Sequence, residues 1–393
     1  MCIILLWPKD AHAYAWMIRH EYSGCIQCHA DPSGGGLLTS YGRAQSETLL
    51  RTRYGKPPED EEEESTYGNF AWGLWKGDPK DMLLVGADVR ELYYNQSTQN
   101  APNLSKFIWM QADAEAQLHI DRFRANGTIG YAEQGALPAS LTRNPDKNLI
   151  SRTHWLGVEL DTDKKMMVRA GRLNLPFGLR SIEHTLWART ATRTDINSGQ
   201  QDGVAFAYNG GQLRGELMAV LGNLQLRPYD YHEYGYSGYV EYTPKSRLAV
   251  GVSSLLTHAA LDIETETPLW RHAHGLFGRY SPKPWVVLGL EQDLVLTSQP
   301  GSASVPHNNI AGTVGYLTAD FEPLQGVHLM TTLEDRQNDF SRGGFSWGAW
   351  GGAGWFFLPH ADVRADLIYQ NVTTNGSSHT GITTFLVQAH VFL

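Results

Sequence analysis

The sequence predicts a mainly β protein: a transmembrane antiparallel β-barrel of about sixteen strands, preceded by a small segment of loops and one short helix. Three observations predict it. Apolar and polar residues alternate along many short stretches, tight turns alternate with longer polar loops, and Gly, Trp and Tyr are abundant, with 40, 12 and 18 in 393 residues. Such a composition is typical of chains with many short strands and turns.

The alternation defines two faces on each predicted strand. In "QLRGELMAVL", Leu213 and Leu217 fall on one face and Arg214 and Glu216 on the other, and "DVRADLIYQNV" shows the same pattern. A strand with one apolar and one charged face lies between two unlike surroundings. We therefore expect water on the charged side.

Seven tight turns join these strands in pairs, and longer polar segments separate the pairs. Turns alternate with long loops in this way in outer-membrane barrels, where the turns face the periplasm. The turn signals lie at Asp121-Arg122, Asp161–Lys164, Asn209–Gly211, Thr243–Ser246, Ser281–Pro284, Glu322–Gly326 and Leu358–His360. The long segments are Gly135–Asn148, Asn174–Gln200, Gly222–His232 and Ser298–Asn308.

About sixteen strands fit between Met82 and Leu393. A β-propeller is less suitable because no blade signature repeats at a fixed period, and a soluble sandwich rarely needs so many strands. The last stretch, "TTFLVQAHVFL", resembles the closing strand of outer-membrane proteins, although Phe392 is penultimate. A net charge of −9 without any basic run argues against nucleic-acid binding.

The sequence divides into four parts, of which the last is the predicted barrel. Residues 1–13 resemble the end of an export signal with a small-x-small site at Ala11–Ala13, the alternative being an ordinary buried segment. Residues 14–55 are loop-like with one short helix, and residues 56–66 contain six consecutive acids that favour a solvated linker. Residues 67–393 form the predicted barrel.

The motif Cys25-Ile-Gln-Cys28-His29 carries the chemistry of the second part. C-x-x-C-H is the attachment motif of c-type haem, in which both cysteines bind haem covalently and the histidine is the proximal iron ligand. The alternatives are half a zinc site, a redox dithiol and a structural disulfide. Only one other cysteine is present, and the Gly-rich surroundings lack the βαβ context of a thioredoxin-like dithiol. We therefore expect one covalent haem c.

The second axial ligand is less well defined. The chain has no Met between Met17 and Met82 and no His between His29 and His119. His20 and Met17 lie within reach upstream, since nine residues span at most about 30 Å. His20 is the favoured sixth ligand and Met17 the other; a histidine that faces the barrel interior, or an open position, are further alternatives.

A C-x-x-C-H segment joined through a linker to a porin-like barrel resembles the fused monohaem cytochrome-porins of the bacterial outer membrane. The resemblance implies an electron-transfer protein that passes electrons between an extracellular donor or acceptor, such as Fe(II), and periplasmic carriers. If iron is the substrate, the chain is an extracellular metal oxidoreductase; otherwise it is an electron carrier. The resemblance places the haem segment on the periplasmic side or in the barrel lumen. The alternative function is a diffusion porin whose haem segment is a sensor or plug.

The longest loop, between Asn174 and Gln200, follows the fifth predicted strand. In sixteen-stranded general porins the loop at this place folds inward and narrows the channel. By that resemblance, the charged residues of the loop would line a constriction, with a surface loop as the alternative. They are Arg180, Glu183, His184, Arg189, Arg193 and Asp195. Seven tryptophans are expected mostly in girdles at the membrane interfaces: Trp109, Trp155, Trp187, Trp285, Trp347, Trp350 and Trp355.

Overall fold

The structure is a computed structural model. It describes residues 15–22, 24–54, 82–133, 141–142, 148–222, 232–262, 265–300, 308–374 and 378–393. The expected export signal at 1–13 and the expected acidic linker at 56–66 lie outside the described residues. None of the helices in this part of the chain is long and apolar enough to cross a membrane.

The strands form one closed antiparallel barrel. The described residues contain seventeen strand segments, and both β4 and β5 pair with β3, so the ring has sixteen positions. The last strand closes the ring on the first, from Asp88 opposite Phe392 to Thr98 opposite Ile382. The prediction of about sixteen strands in a closed antiparallel barrel is confirmed.

The strands are β1 (Leu83–Thr98), β2 (Leu104–Ile120), β3 (Phe123–Ala132), β4 (Asn148–Ile150), β5 (His154–Glu159), β6 (Met166–Asn174), β7 (Gln200–Gly210), β8 (Leu213–Gly222), β9 (Glu233–Lys245), β10 (Leu248–Ala259), β11 (Leu269–Lys283), β12 (Val286–Gln299), β13 (Asn308–Leu324), β14 (Val327–Gln337), β15 (Phe345–Leu358), β16 (Ala361–Thr374) and β17 (Ser378–Phe392). The helical elements are a 3-10 helix (Ala15–His20), α1 (Ser40–Gln45), a π-helical turn (Ser46–Leu50) and α2 (Trp187–Thr192).

All seven predicted turns join the strand pairs as expected, and they lie together at one end of the barrel, the turn end. At Gly326, in the turn between β13 and β14, φ is +79° and a Cβ would stand 2.5 Å from the carbonyl oxygen of Leu50. Glycine is therefore needed there both for the backbone conformation and for the close approach of the N-terminal segment.

The outer face of the barrel is apolar and the inner face polar. In β8, Leu213, Leu217 and Leu221 point outward and are exposed, whereas Glu216 is buried inside. The same alternation runs around the ring and suits hydrocarbon outside. Outward apolar side chains include Leu118, Leu156, Leu276, Leu317, Leu333 and Leu367.

The tryptophans divide between the two faces. Four of the seven expected girdle residues are exposed on the outer face near the ends of the barrel: Trp109 and Trp347 at the loop end, Trp285 and Trp355 at the turn end. The girdle expectation is wrong for the other three, because Trp155, Trp187 and Trp350 are buried inside the barrel. Trp350 donates its indole N–H to Glu334 at 3.0 Å, a partner that lipid would not supply.

Residues 15–22 and 24–54, which we call the lumen segment, lie inside the barrel. Their contacts reach strands on all sides of the ring: the N–H of Leu37 donates to Glu115 of β2 at 2.8 Å, Asp31 pairs with Arg169 of β6, and the N–H of Thr52 donates to Phe356 of β15 at 2.9 Å. A segment that touches opposite walls of a closed ring lies within it. The predicted short helix is present as α1 and the following π-helical turn.

Residues 175–199, which we call the inward loop, enter the lumen from the opposite end. The N–H of Leu179 donates to Glu291 of β12 at 2.7 Å, and the N–H of Trp187 donates to Glu334 of β14 at 3.0 Å. The apolar residues of α2 pack against the inner faces of β13, β15, β16 and β17. The resemblance to general porins therefore predicted the inward fold of this loop correctly.

We expect Leu276→Arg to lower the free energy of unfolding in lipid vesicles by about 2–4 kcal/mol, because a charge at the bilayer midplane is poorly solvated. Leu276 lies at the middle of β11 and is 67% exposed on the outer face. The matched control is Leu324→Arg. Leu324 is 59% exposed at the end of β13, beside the turn to β14, where the membrane interface is expected. Its cost should be about 0–1 kcal/mol. Equal losses at the two positions would contradict a lipid-facing belt.

Candidate functional site

The C-x-x-C-H motif forms a tight turn within the lumen segment. The N–H groups of Cys28 and His29 donate to the carbonyl of Cys25 at 3.2 and 3.0 Å. Helix α1 packs directly on this turn, and a Cβ at Gly42 would stand 2.2 Å from the carbonyl oxygen of Cys28. The turn thus holds both cysteines and the histidine on one short piece of backbone, as C-x-x-C-H spacing requires.

Both cysteines are free thiols in this structure. Burial raises the pKa of the Cys28 thiol to about 12, with a smaller contribution from Cys25. A reactive dithiol instead needs a lowered thiol pKa. Among the described residues, no group of three or more His, Cys, Asp or Glu could hold a metal ion. The raised pKa of Cys28 therefore argues against a reactive dithiol at this turn.

The imidazole of His29 is held in one tautomer. Its Nδ1 lies 3.2 Å from the carbonyl oxygen of Gly36, so this nitrogen carries the hydrogen and donates. Nε2 is buried and has no hydrogen-bond partner in the structure. Burial lowers the pKa of His29 to about 4, although the bond to Gly36 and the charge of Asp31 oppose this. The side chain is thus neutral and presents a bare nitrogen lone pair, the arrangement of a metal-ligating histidine.

Three glycines make this hydrogen bond possible. Gly34, Gly35 and Gly36 all have positive φ, at 81°, 80° and 62°. They turn the backbone so that the carbonyl of Gly36 faces His29, and Gly36 itself lies against the carboxylate of Glu115. Side chains other than glycine would be strained in these three conformations.

Cys25, Cys28 and His29 line one cavity, which we call the cysteine cavity. It contains about 1130 Å³ of space between protein atoms, part of which opens to solvent. Its lining includes both apolar side chains and guanidinium groups from the barrel wall and the inward loop. The apolar residues include Met17, Leu38, Leu50 and Phe392, and the guanidinium groups are those of Arg90, Arg180, Arg214 and Arg279.

The arginines are tied to carboxylates of the wall. Arg180 pairs with Glu216 at 2.7 Å, and Arg214 with Glu241 at 2.7 Å. Both guanidinium groups also lie over the ring of Tyr239, at 4.6 and 5.6 Å from its centroid. Nη1 of Arg214 lies 3.6 Å from Sγ of Cys25, so the wall touches the motif directly.

Of the two candidate sixth ligands, the structure brings Met17 into the cysteine cavity. Met17 is 2% exposed and lines the cavity with His29. His20 lies at the end of the same 3-10 helix and is not among the described residues that line the cavity. Burial lowers the pKa of His20, so it is neutral as well.

The charged residues of the inward loop are paired rather than free. Glu183 accepts from Arg364 at 2.8 Å, Arg193 pairs with Asp262 at 2.6 Å, and Arg189 pairs with Glu291. His184 lies 3.8 Å from Asp195, and this carboxyl has a lowered pKa because hydrogen bonds and the His184 charge outweigh its burial. Only Arg180 of this set lines the cysteine cavity.

Sequence reasoning missed the residues that fix the lumen segment in place. Arg169 is completely buried and bridges Asp31 of the segment to Glu216 of β8. Burial alone would raise the pKa of Asp31, but Arg169 and the hydrogen bonds from Ser33 lower it below its ordinary value. The charged inward face of each strand was visible in the alternation, yet nothing in the sequence indicates which charges meet the segment.

Comparison with known proteins supports the fold. No protein-family model matches the chain, and no curated protein matches it. A loop-deletion mutant of OmpT, an outer-membrane protein of Vibrio cholerae, matches with a TM-score of 0.58 and 12% identity, over 80% of this chain and 100% of that chain. The outer-membrane channel DcaP of Acinetobacter baumannii matches with 0.58 and 9%, over 79% and 97%.

A third similar structure is an anion-selective porin from Comamonas acidovorans, with a TM-score of 0.57 and 11% identity, over 79% of this chain and 99% of that chain. Sequence identities this low support a similarity of fold alone. The closed sixteen-position ring, its apolar outer face and these likenesses agree. The chain has the fold of the porin-like outer-membrane barrels.

Proposed function

We propose that this chain is an outer-membrane electron-transfer protein that holds one covalent c-type haem inside its barrel. The observation that carries the proposal is the convergence of Cys25, Cys28 and the bare Nε2 of His29 on one cavity. These are the three protein groups that a c-type haem requires.

The lining of the cysteine cavity also suits an amphipathic haem. Met17, Leu38, Leu50 and Phe392 would contact the apolar porphyrin, and the guanidinium groups would attract its two carboxylates. Cys25 and Cys28 would form the thioether bonds, and His29 would be the proximal ligand. The haem would supply a one-electron centre.

Two segments of the chain lie inside the barrel, and this arrangement supports electron transfer. The lumen segment occupies the turn end and the inward loop occupies the middle, and ion pairs such as Arg169–Asp31 and Arg189–Glu291 hold both to the wall. An electron needs no open channel, whereas a solute does. With the turn end toward the periplasm, periplasmic carriers would meet the segment, and an outer donor such as Fe(II) would act from the loop side.

A diffusion porin plugged by its own segment is the second candidate. The observation that favours it is the fold, which is shared with a protein described as an outer-membrane channel and with an anion-selective porin. In this case the lumen segment would have to leave the barrel, or move within it, before solutes pass.

One preparation separates the two functions. The full chain is produced with c-type haem maturation, purified in detergent and reconstituted into liposomes that enclose a soluble cytochrome as electron acceptor. Ferrous ammonium sulfate is added outside, and the spectra of both haems are recorded. Swelling of the same liposomes in a small sugar measures diffusion, and liposomes without protein are the control.

We expect a covalent haem that reduces on addition of Fe(II) and passes electrons to the enclosed cytochrome, with swelling no faster than in empty liposomes. Covalent haem that never accepts electrons from added donors, together with rapid swelling, would support the plugged porin instead. Absence of covalent haem would overturn the electron-transfer function, and the swelling rate would then decide whether the barrel is a diffusion porin.

A further inference from the structure

We propose that Met17, not His20, is the second axial ligand of the haem iron. This inference rests on the proposed function and names the residue that controls the haem within it. A second ligand has to come from the residues that line the cysteine cavity, since the porphyrin would occupy the space between the cavity walls.

Besides the C-x-x-C-H residues, the described lining includes four side chains of types that ligate iron: Met17, Asp88, Tyr239 and His390. Nδ1 of His390 is hydrogen-bonded to Asp362 at 2.8 Å, and Nε2 lies 3.2 Å from Asp88, within ion-pair distance but without a hydrogen bond. Asp88 also pairs with Arg90 at 3.2 Å, so His390 and Asp88 both belong to an ion-pair network of the barrel wall.

Tyr239 is committed in a different way. The guanidinium groups of Arg180 and Arg214 lie over its ring, at 4.6 and 5.6 Å from the ring centroid. Movement toward the cavity would break both cation–π contacts, each worth roughly 0.5–2 kcal/mol. The thioether of Met17 has no polar partner to lose, so it is the donor with the smallest cost of ligation.

The backbone of Met17 is also held firmly. Arg19, two residues further along the 3-10 helix, is buried and pairs with Asp320 and Glu322 of β13. Met17 belongs to a buried cluster with Leu50 and Phe356, and Cys28 to a second cluster with Leu38. The rings of Tyr22 and Phe392 pack against both clusters. The structure therefore presents the thioether beside the motif turn, whereas His20 belongs to the same helix but lies outside the lining.

A thioether ligand has a chemical consequence. Sulfur donors of this kind raise the reduction potential of a haem relative to bis-histidine ligation, because they stabilise the ferrous iron. Such a haem would accept electrons only from donors of matching potential and would bind small ligands weakly, since the sixth position is occupied.

The experiment compares carbon monoxide binding to the reduced haem of the full chain and of Met17→Leu, with His20→Ala as the matched control. Leucine keeps the volume and apolar character of methionine but removes the sulfur, so packing is conserved. If Met17 is off the iron in about 0.1–10% of the parent molecules, Met17→Leu should bind carbon monoxide about 10- to 1,000-fold more tightly than the parent. Its reduction potential should also fall, while His20→Ala leaves both values unchanged.

The outcomes are distinct. Equal affinity and potential in Met17→Leu and the parent would overturn the assignment while the haem, still covalent, leaves the proposed function intact. Tighter binding in His20→Ala alone would assign His20 instead. Loss of covalent haem from the parent would overturn the proposed function itself. Met17→His is the second variant: it should lower the potential further and keep carbon monoxide binding weak, which a merely structural role of Met17 would not produce.

Discussion

Replacement of Arg169 by methionine should destabilise the docked lumen segment by about 3–5 kcal/mol, because it leaves buried carboxylates without their counter-ion. The Arg169 side chain is completely buried and pairs with Asp31 of the segment and Glu216 of the wall. Glu216 keeps a second partner in Arg180, whereas Asp31 keeps its hydrogen bonds from Ser33 and a weaker attraction to Arg180. The cost therefore falls mainly on the contact between segment and barrel.

Denaturant unfolding, limited proteolysis of the segment and single-channel conductance together measure this effect. The variant should unfold the segment at lower denaturant, expose it to protease and give the barrel a measurable conductance. The matched control is Lys165→Met, which removes an ion pair with Asp163 whose side chains are 48% and 64% exposed. An exposed pair contributes about 0–1 kcal/mol. Equal behaviour of the two variants would mean that the segment is not held by this bridge.

Substitution of both Cys25 and Cys28 by alanine should abolish covalent haem completely while the barrel still assembles. Each thiol would supply one thioether bond, so either single variant should retain haem through the other cysteine, at reduced yield. The barrel contains no described cysteine, and its closure depends on the pairing of β17 with β1 rather than on the motif.

Haem staining after denaturing electrophoresis measures the covalent haem, and heat-modifiable mobility on the same gels measures barrel assembly. Cys2→Ala, at the third cysteine of the sequence, is the matched control and should leave the haem yield unchanged. Covalent haem in the double variant would refute attachment at the motif. Loss of the folded barrel in the double variant would show that barrel and segment depend on each other for assembly.

The ring was predictable from the sequence because its signals are local. The turns are marked by Gly, Pro, Asp and Asn, and the alternation of Arg214 and Glu216 with Leu213 and Leu217 identifies the two faces directly. Trp155 and Trp350 lie on the inner face and not on the outer face expected for them. The abundance of tryptophan does not show on which face of a strand each one falls, whereas its position in the alternation of apolar and polar residues does. The break between β4 and β5 was not visible either, since β3 pairs with both parts.

The contacts that chain segments make inside the lumen were not predictable in the same way. Charged inward faces indicated water, but the inner carboxylates instead meet arginines and backbone of distant parts of the chain. Asp31 and Arg169 are 138 residues apart, and Arg19 and Glu322 are 303 apart. A single sequence contains no local sign of such pairs. The motif at Cys25, Cys28 and His29 was recognisable in the sequence. The bare Nε2 of His29 was not, because it depends on the turn of three glycines that brings the Gly36 carbonyl to Nδ1.

The closed ring around a buried segment constrains the order of assembly. A segment that touches opposite walls either enters through an end of the finished ring or is surrounded while the ring closes, and the closing contact joins the first strand to the last. Cys28 is 3% exposed once the segment is in place. If the chain carries the proposed haem, enzymatic addition of haem to this thiol would take place before docking, while the N-terminal segment is still accessible. Maturation of the cofactor would then precede completion of the barrel, and an export pathway that inserted the barrel too early would trap an apoprotein.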